Sequence, residues 1–140
     1  MADEPIPRGI IETSVVIDLE RVAARDLPAE LAVSAVTLAE LAAGPHATPD
    51  PQERARRQDR LQRAEATFEP LPVDANVARA YGRIYAAVSG AGRKARGARS
   101  LDLLIAATAL ASNLPLYTRN PSDFRGTESL IDIVALEPAN

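Results

Sequence analysis

Arg8-Gly9-Ile10-Ile11-Glu12-Thr13 is the stretch that decides the fold. It is short, apolar and β-branched, and Pro7 stands before it, which reads as a buried strand. Ser14 follows at once and can cap a helix that holds Val15, Val16, Ile17 and Leu19. The same handover recurs along the chain. The apolar run Leu31 to Val36 leads into a helix around Thr37 to Leu41, which Gly44-Pro45 stops. Leu114 to Thr118 reads as a strand after a helix, and Ile131 to Leu136 as the last strand.

Between these lie three longer helical patterns. Gln52 to Ala66 has Ala55, Leu61, Ala64 and Phe68 as its inward face; Asp74 caps Ala75 to Ser89; Ser100 caps the Ala-rich Leu101 to Ser112. Glu69-Pro70-Leu71-Pro72-Val73 reads as a short edge strand, because its two prolines cannot donate to a ladder. Strands alternating with helices argue for an α/β fold with a mostly parallel sheet covered by helices on both faces. With 140 residues the chain makes one domain, since two halves would each bury too little core.

Composition narrows the chemistry. Without Cys and with His46 as the sole His, thiolate catalysis, disulfides and zinc sites built on Cys or several His are excluded. The acidic N-terminus is no secretory signal and the longest apolar run cannot span a bilayer, so a cytoplasmic protein without membrane attachment is expected. The net charge of −3 hides two basic patches. Gln52 to Arg63 carries five Arg against Glu53 and Asp59, and Arg93, Lys94, Arg96 and Arg99 crowd a glycine-rich loop. A basic patch beside an acidic remainder can hold a polyanion near carboxylates, although Arg runs also occur as solvated helix faces.

The carboxylates carry the functional signal. In parallel sheets ligands gather at the carboxyl ends of strands, near a topological switch point. Glu12 ends the first strand, Glu40 lies one turn into the helix after the second, Asp102 sits in a first helical turn, and Asp123 follows the strand ending at Thr118. Side by side these acids repel, and an oxygen-only set of this kind suits Mg²⁺ or Mn²⁺ completed by water. Each has a structural alternative: Glu40 a capping box with Thr37, Asp102 the helix dipole, Asp123 a turn. Glu12 is the hardest to explain so, because a carboxylate on a buried strand needs a partner.

Four segments carry a resemblance: Ile10-Ile-Glu12-Thr-Ser14-Val-Val-Ile17, Val33-Ser-Ala-Val-Thr-Leu-Ala-Glu40-Leu41, Ser100-Leu-Asp102-Leu-Leu-Ile-Ala-Ala-Thr-Ala109, and Leu116-Tyr-Thr118-Arg-Asn120-Pro-Ser-Asp123-Phe124. They resemble the four motifs of PIN-domain ribonucleases, and among these the VapC-type toxins of bacterial, mycobacterial-like toxin–antitoxin pairs. The resemblance covers about residues 8–137. It implies an α/β/α sandwich, a Mg²⁺- or Mn²⁺-dependent endoribonuclease acting on tRNA or other structured RNA, a VapB-type antitoxin, and a homodimer that forms a heterotetramer or larger with that antitoxin. It makes Glu12, Glu40, Asp102 and Asp123 the catalytic, metal-binding acids, with Ser14, Thr118 and Asn120 as polar companions. The basic loop, Arg93, Lys94, Arg96 and Arg99, is expected to contact RNA.

Glu12 departs from the family pattern, which prefers Asp there. The extra methylene moves the carboxylate by ~1.5 Å, more than the ~0.5 Å such sites tolerate. Attenuated cleavage is one expectation; a silent domain that binds RNA or a partner is the alternative. An aspartyl-phosphate receiver is disfavoured, since its site Lys could only be Lys94 in the loop.

Overall fold

The computed structural model of the chain describes residues 7–137 apart from positions 94 and 96. Four strands form one sheet: β1 (Arg8–Ile11), β2 (Glu30–Ala32), β3 (Leu116–Thr118) and β4 (Ile133–Ala135). Five helices accompany them: α1 (Thr13–Ile17), α2 (Ala35–Ala43), α3 (Pro51–Thr67), α4 (Ala75–Gly90) and α5 (Ser100–Ser112). The strand order is β2-β1-β3-β4 and every pairing is parallel. The chain moves from β1 to one neighbour and returns, after four helices, on the other side. The switch point therefore lies between the carboxyl ends of β1 and β3.

Successive strand residues face opposite sides of a sheet, and here that alternation builds two cores. Ile10, fully buried, packs with Val77, Ile84 and Val88 of α4 and Ile105 of α5. Ile11, also fully buried, joins Val15 and Val16 of α1, Leu41 of α2 and Ala64 on the inner face of α3. Burying each large apolar side chain of this kind is worth about 1.5–3 kcal/mol. The expected parallel sheet with helices on both faces is what the chain forms.

The caps differ from expectation in an informative way. Asp74 caps α4 through the Val77 N–H, as expected, and Asp50 caps α3. Ser34, not Thr37, caps α2 by accepting from the Val36 N–H at 3.0 Å, so Thr37 lies inside the helix and is buried. Glu12, not Ser14, is the N-cap of α1. Ser100 does not cap α5; it is the first helical residue after Arg99.

Leu71 makes one parallel bridge to Ser34 and no strand forms around it. Its N–H reaches the Val33 carbonyl at 2.8 Å, but Pro70 and Pro72 on either side have no N–H to extend the ladder. Ala55 is exposed, because α3 meets the core only towards its C-terminal half at Leu61, Ala64 and Phe68. Most of the Arg side chains on that helix are held locally. Arg54 and Arg57 donate to the carbonyls of Pro45 and Gly44, Arg56 pairs with Glu53, and Arg63 pairs with Asp59 and Glu20. Among the described residues no helix is long and apolar enough to cross a membrane.

Candidate active site

The β1–β3 switch point is polar. Glu12, only 6% exposed, follows β1 and folds its carboxylate back over the first turn of α1. One oxygen, Oε2, accepts the Ser14 N–H at 3.0 Å. The other, Oε1, accepts the Ser14 hydroxyl and the Thr118 hydroxyl, the latter at 2.6 Å. Three donors thus satisfy a charge that burial would otherwise penalise. Glu40 lies on α2, where its Oε1 accepts the Thr13 hydroxyl at 2.6 Å. Thr13 also bonds the Thr37 hydroxyl at 3.0 Å, so a buried hydroxyl pair ties α1 to α2 behind Glu40.

Asp102 stands in the first turn of α5, half-buried, and among the described residues no donor reaches its carboxylate. Its pKa is pushed up to about 6, first by burial and then by the charges of Asp123, Glu12 and Glu40, with Arg99 pulling in the opposite direction. All four acids of the sequence motifs therefore share one electrostatic neighbourhood. Asp123, in the turn Pro121–Phe124 after β3, has its side chain 44% exposed and opens to solvent. Arg99 donates to the Asp123 carbonyl at 2.9 Å and places its guanidinium 4.0 Å from the Asp123 carboxylate.

The polar companions divide. Ser14 and Thr118 join the site through Glu12, as described. Asn120 contributes its main chain: its N–H donates to Thr118 Oγ1 at 3.0 Å and its carbonyl accepts the Asp123 N–H at 3.0 Å. The residue is otherwise exposed. Of the basic loop, Arg99 stands beside the acids, and Arg93 reaches the Ser122 carbonyl at 3.4 Å. Lys94 and Arg96 lie outside the described residues.

One contact here has no separate signal in the sequence. Arg119 forms a partly buried ion pair with Asp18, the residue closing α1, and its N–H donates to Ser14 Oγ at 3.1 Å. An acid four residues beyond Ser14 and a base directly after Thr118 are ordinary in sequence; only the sheet order makes them neighbours.

Whether this donor set suits a divalent cation can be judged from its charge and openness. Three further carboxylates push the same way on Asp102, and a hard cation would relieve that repulsion. As the side chains lie, no three acids among the described residues close on one point. The fit to a hard cation therefore rests on the shared repulsion around Asp102 and on the oxygen-only donors.

A second feature lies on the α1 side. A groove of about 470 Å³ runs between the end of α1 and α3, with Val16, Leu19, Ala64 and Phe68 along it and Arg56 and Arg60 at its border. Val16 is nearly buried and Leu19 partly so, while Ile17 is 43% exposed.

A parallel sheet with carboxylates at its switch point defines a class, and the comparison with known families agrees. The chain belongs to the PIN-domain family, whose profile matches residues 10–128. Ribonuclease VapC5 of Mycobacterium tuberculosis is 34% identical over 128 residues, 89% of this chain and 91% of that protein. Ribonuclease VapC8 of the same species is 36% identical over 110 residues, 78% of this chain and 96% of that protein. The crystal structure of VapBC-5 from M. tuberculosis, a member of the VapBC family of toxin–antitoxin systems, superposes with a TM-score of 0.77 at 32% identity, covering 94% of this chain and 99% of that one. VapBC2 from Rickettsia felis, at 20% identity and a TM-score of 0.69 over 93% of this chain and 99% of that one, shares the fold.

Proposed function

We propose that this chain is the toxin of a toxin–antitoxin pair, an endoribonuclease that uses Mg²⁺ or Mn²⁺ to hydrolyse phosphodiester bonds of tRNA or another structured RNA. The observation that carries the reading is Asp102, whose carboxyl is raised to about 6 by burial and by three further acids at the β1–β3 switch point. Asp102 and Asp123, whose carboxylates accept no hydrogen bond among the described residues, are the residues that would hold the cation, with Glu40, engaged only at Oε1, and Glu12 adding charge around it. When bound, such an ion supplies a water of lowered pKa and stabilises charge on a phosphoryl group.

The chain's own residues do the rest. Arg99 stands next to Asp102 and Asp123 and is placed to take a phosphate oxygen on the rim of the site. Arg93 extends that positive edge, and the sequence adds the charges of Lys94 and Arg96 to the same stretch. Thr13 holds Glu40 in one orientation, so that acid loses little freedom when charge develops nearby. Because Glu12 is engaged by three donors, the site works with fewer open carboxylate oxygens than its four acids suggest, and turnover is low.

VapC5 and VapC8 carry ribonuclease names, and the VapBC-5 structure is that of a member of a toxin–antitoxin family. By that kinship the partner here is a VapB-type antitoxin. Its apolar side chains would enter the groove between α1 and α3, and the assembly is built on a homodimer of this chain. We place the chain in the cytoplasm together with that RNA and its antitoxin.

The engagement of Glu12 also favours one second reading: a domain that binds RNA or a partner without cutting. Incubation of the purified chain with structured RNA in Mg²⁺, Mn²⁺ and excess chelator, followed by sequencing of new RNA ends, separates the two. Discrete ends that appear only with metal support the endoribonuclease; retention of RNA without new ends supports the binding module.

A further inference from the structure

We propose that Glu12 is a positioning residue and not a cation ligand: through the hydroxyls of Ser14 and Thr118 it anchors the main-chain N–H groups of Arg119 and Asn120, and so sets the turn that carries Asp123. The proposal rests on the reading of this site as a cation centre. Each hydroxyl acts once as donor and once as acceptor. Ser14 Oγ donates to Glu12 and accepts the Arg119 N–H at 3.1 Å; Thr118 Oγ1 donates to Glu12 at 2.6 Å and accepts the Asn120 N–H at 3.0 Å. A hydroxyl that gives its proton to a carboxylate becomes the better acceptor, so within each relay the two hydrogen bonds strengthen one another. The Asn120 carbonyl then receives the Asp123 N–H at 3.0 Å, which passes the anchor on to the turn.

The lone-pair count points the same way. Oε1 of Glu12 already receives two protons and Oε2 one, in a side chain almost fully buried. Among the described residues Asp102 receives none, and the Asp123 carboxylate meets only the Arg99 guanidinium at 4.0 Å. The Glu12 carboxylate lies along the first turn of α1, where it caps the helix by accepting the Ser14 N–H. In this chain the Glu12 carboxylate is therefore engaged between two strand ends, while among the described residues Asp102 and Asp123 accept no hydrogen bond through their carboxylates and Glu40 accepts only at Oε1.

The test compares Glu12→Gln, Thr118→Val and Asp102→Asn with the natural chain. Mn²⁺ affinity is read by electron paramagnetic resonance, and amide exchange at residues 119 and 120 by NMR without metal. The Gln side chain is uncharged and turns its NH₂ towards the Ser14 N–H that Oε2 accepts, so it holds the two hydroxyls less firmly and exchange at both positions should accelerate by about tenfold. Mn²⁺ affinity should fall far less than in Asp102→Asn, since nearby charge and not a ligand is lost, while kcat on RNA falls about 10- to 100-fold at unchanged KM. Thr118→Val, which leaves Glu12 in place, should reproduce the exchange effect at Asn120 and the fall in kcat. If Glu12→Gln weakens Mn²⁺ as much as Asp102→Asn does, Glu12 is a ligand and the proposal is overturned. Unchanged exchange at both amides overturns it as well. If Asp102→Asn binds Mn²⁺ like the natural chain, the cation-centre reading fails instead, and the exchange data still decide the anchor.

Discussion

Asp102 holds an uncomfortable charge, and its ionisation works against the fold. Its pKa is raised from 3.8 to about 6, so between those values the folded chain binds more protons than the unfolded one. Without cation, stability therefore declines as pH rises from about 4 through about 6. Asp102→Asn removes that penalty. In metal-free buffer the variant should be more stable than the natural chain at pH 7.5, by about 1–2 kcal/mol after allowing for solvent screening of a half-buried group. The gap should close below pH 4. Thermal melts across that range check it, and a gap independent of pH would show that the Asp102 pKa is not raised in the folded chain. Glu12, Asp102 and Asp123 are legible as candidates in the sequence, since each stands near a strand end or a helix start, and Glu40 by its motif, although it lies well inside α2. Their hydrogen-bond partners are not. Thr37, spaced as a capping-box partner of Glu40, belongs to a buried hydroxyl pair with Thr13, because Ser34 has already started the helix. Only tertiary packing distinguishes the two roles.

Among the elements, β1 is tightly constrained, with a neighbour on both edges and side chains that feed both cores. Gly9 shows how closely it is packed. A methyl group there would come within 2.5 Å of the Tyr117 ring on β3 and 3.2 Å of Pro28 before β2. Gly9→Ala should therefore destabilise the chain by about 1–3 kcal/mol through overpacking, read as a lower midpoint in urea with an unchanged slope. On one face of the sheet, Ile84 of α4 is fully buried, and Ile84→Ala should cost about 2–5 kcal/mol. A loss under about 1 kcal/mol at either position would contradict the packing described. Element order and type are readable from periodicity, from Asp74 and from the Gly44-Pro45 stop. The edges are not. Leu71 has strand-like chemistry, but two flanking prolines limit it to a single bridge, and Ala55 follows the helical period on a turn that projects beyond the core.

At the scale of the whole molecule, charge is organised around the switch point: acids at the strand ends and a basic edge entering from the loop before α5. Neutralising Arg93 and Arg99 together should weaken binding of single-stranded RNA. It should also reduce the salt slope by about 0.7 for each phosphate no longer neutralised; an unchanged slope would mean these side chains serve only the local fold. The basic edge is visible as charge in the sequence, yet its tie to Asp123 depends on the start of α5 bringing Arg99 across to the end of β3. That this cluster of acids hydrolyses RNA is the central claim, and one measurement meets it most directly. The natural chain and Asp102→Asn are given the same structured RNA at matched Mg²⁺ or Mn²⁺, and both cleavage and RNA binding are followed. Asp102→Asn should bind RNA as the natural chain does and leave it intact, and chelator should silence the natural chain. Cleavage by Asp102→Asn at the natural rate, or by the natural chain in excess chelator, would contradict it.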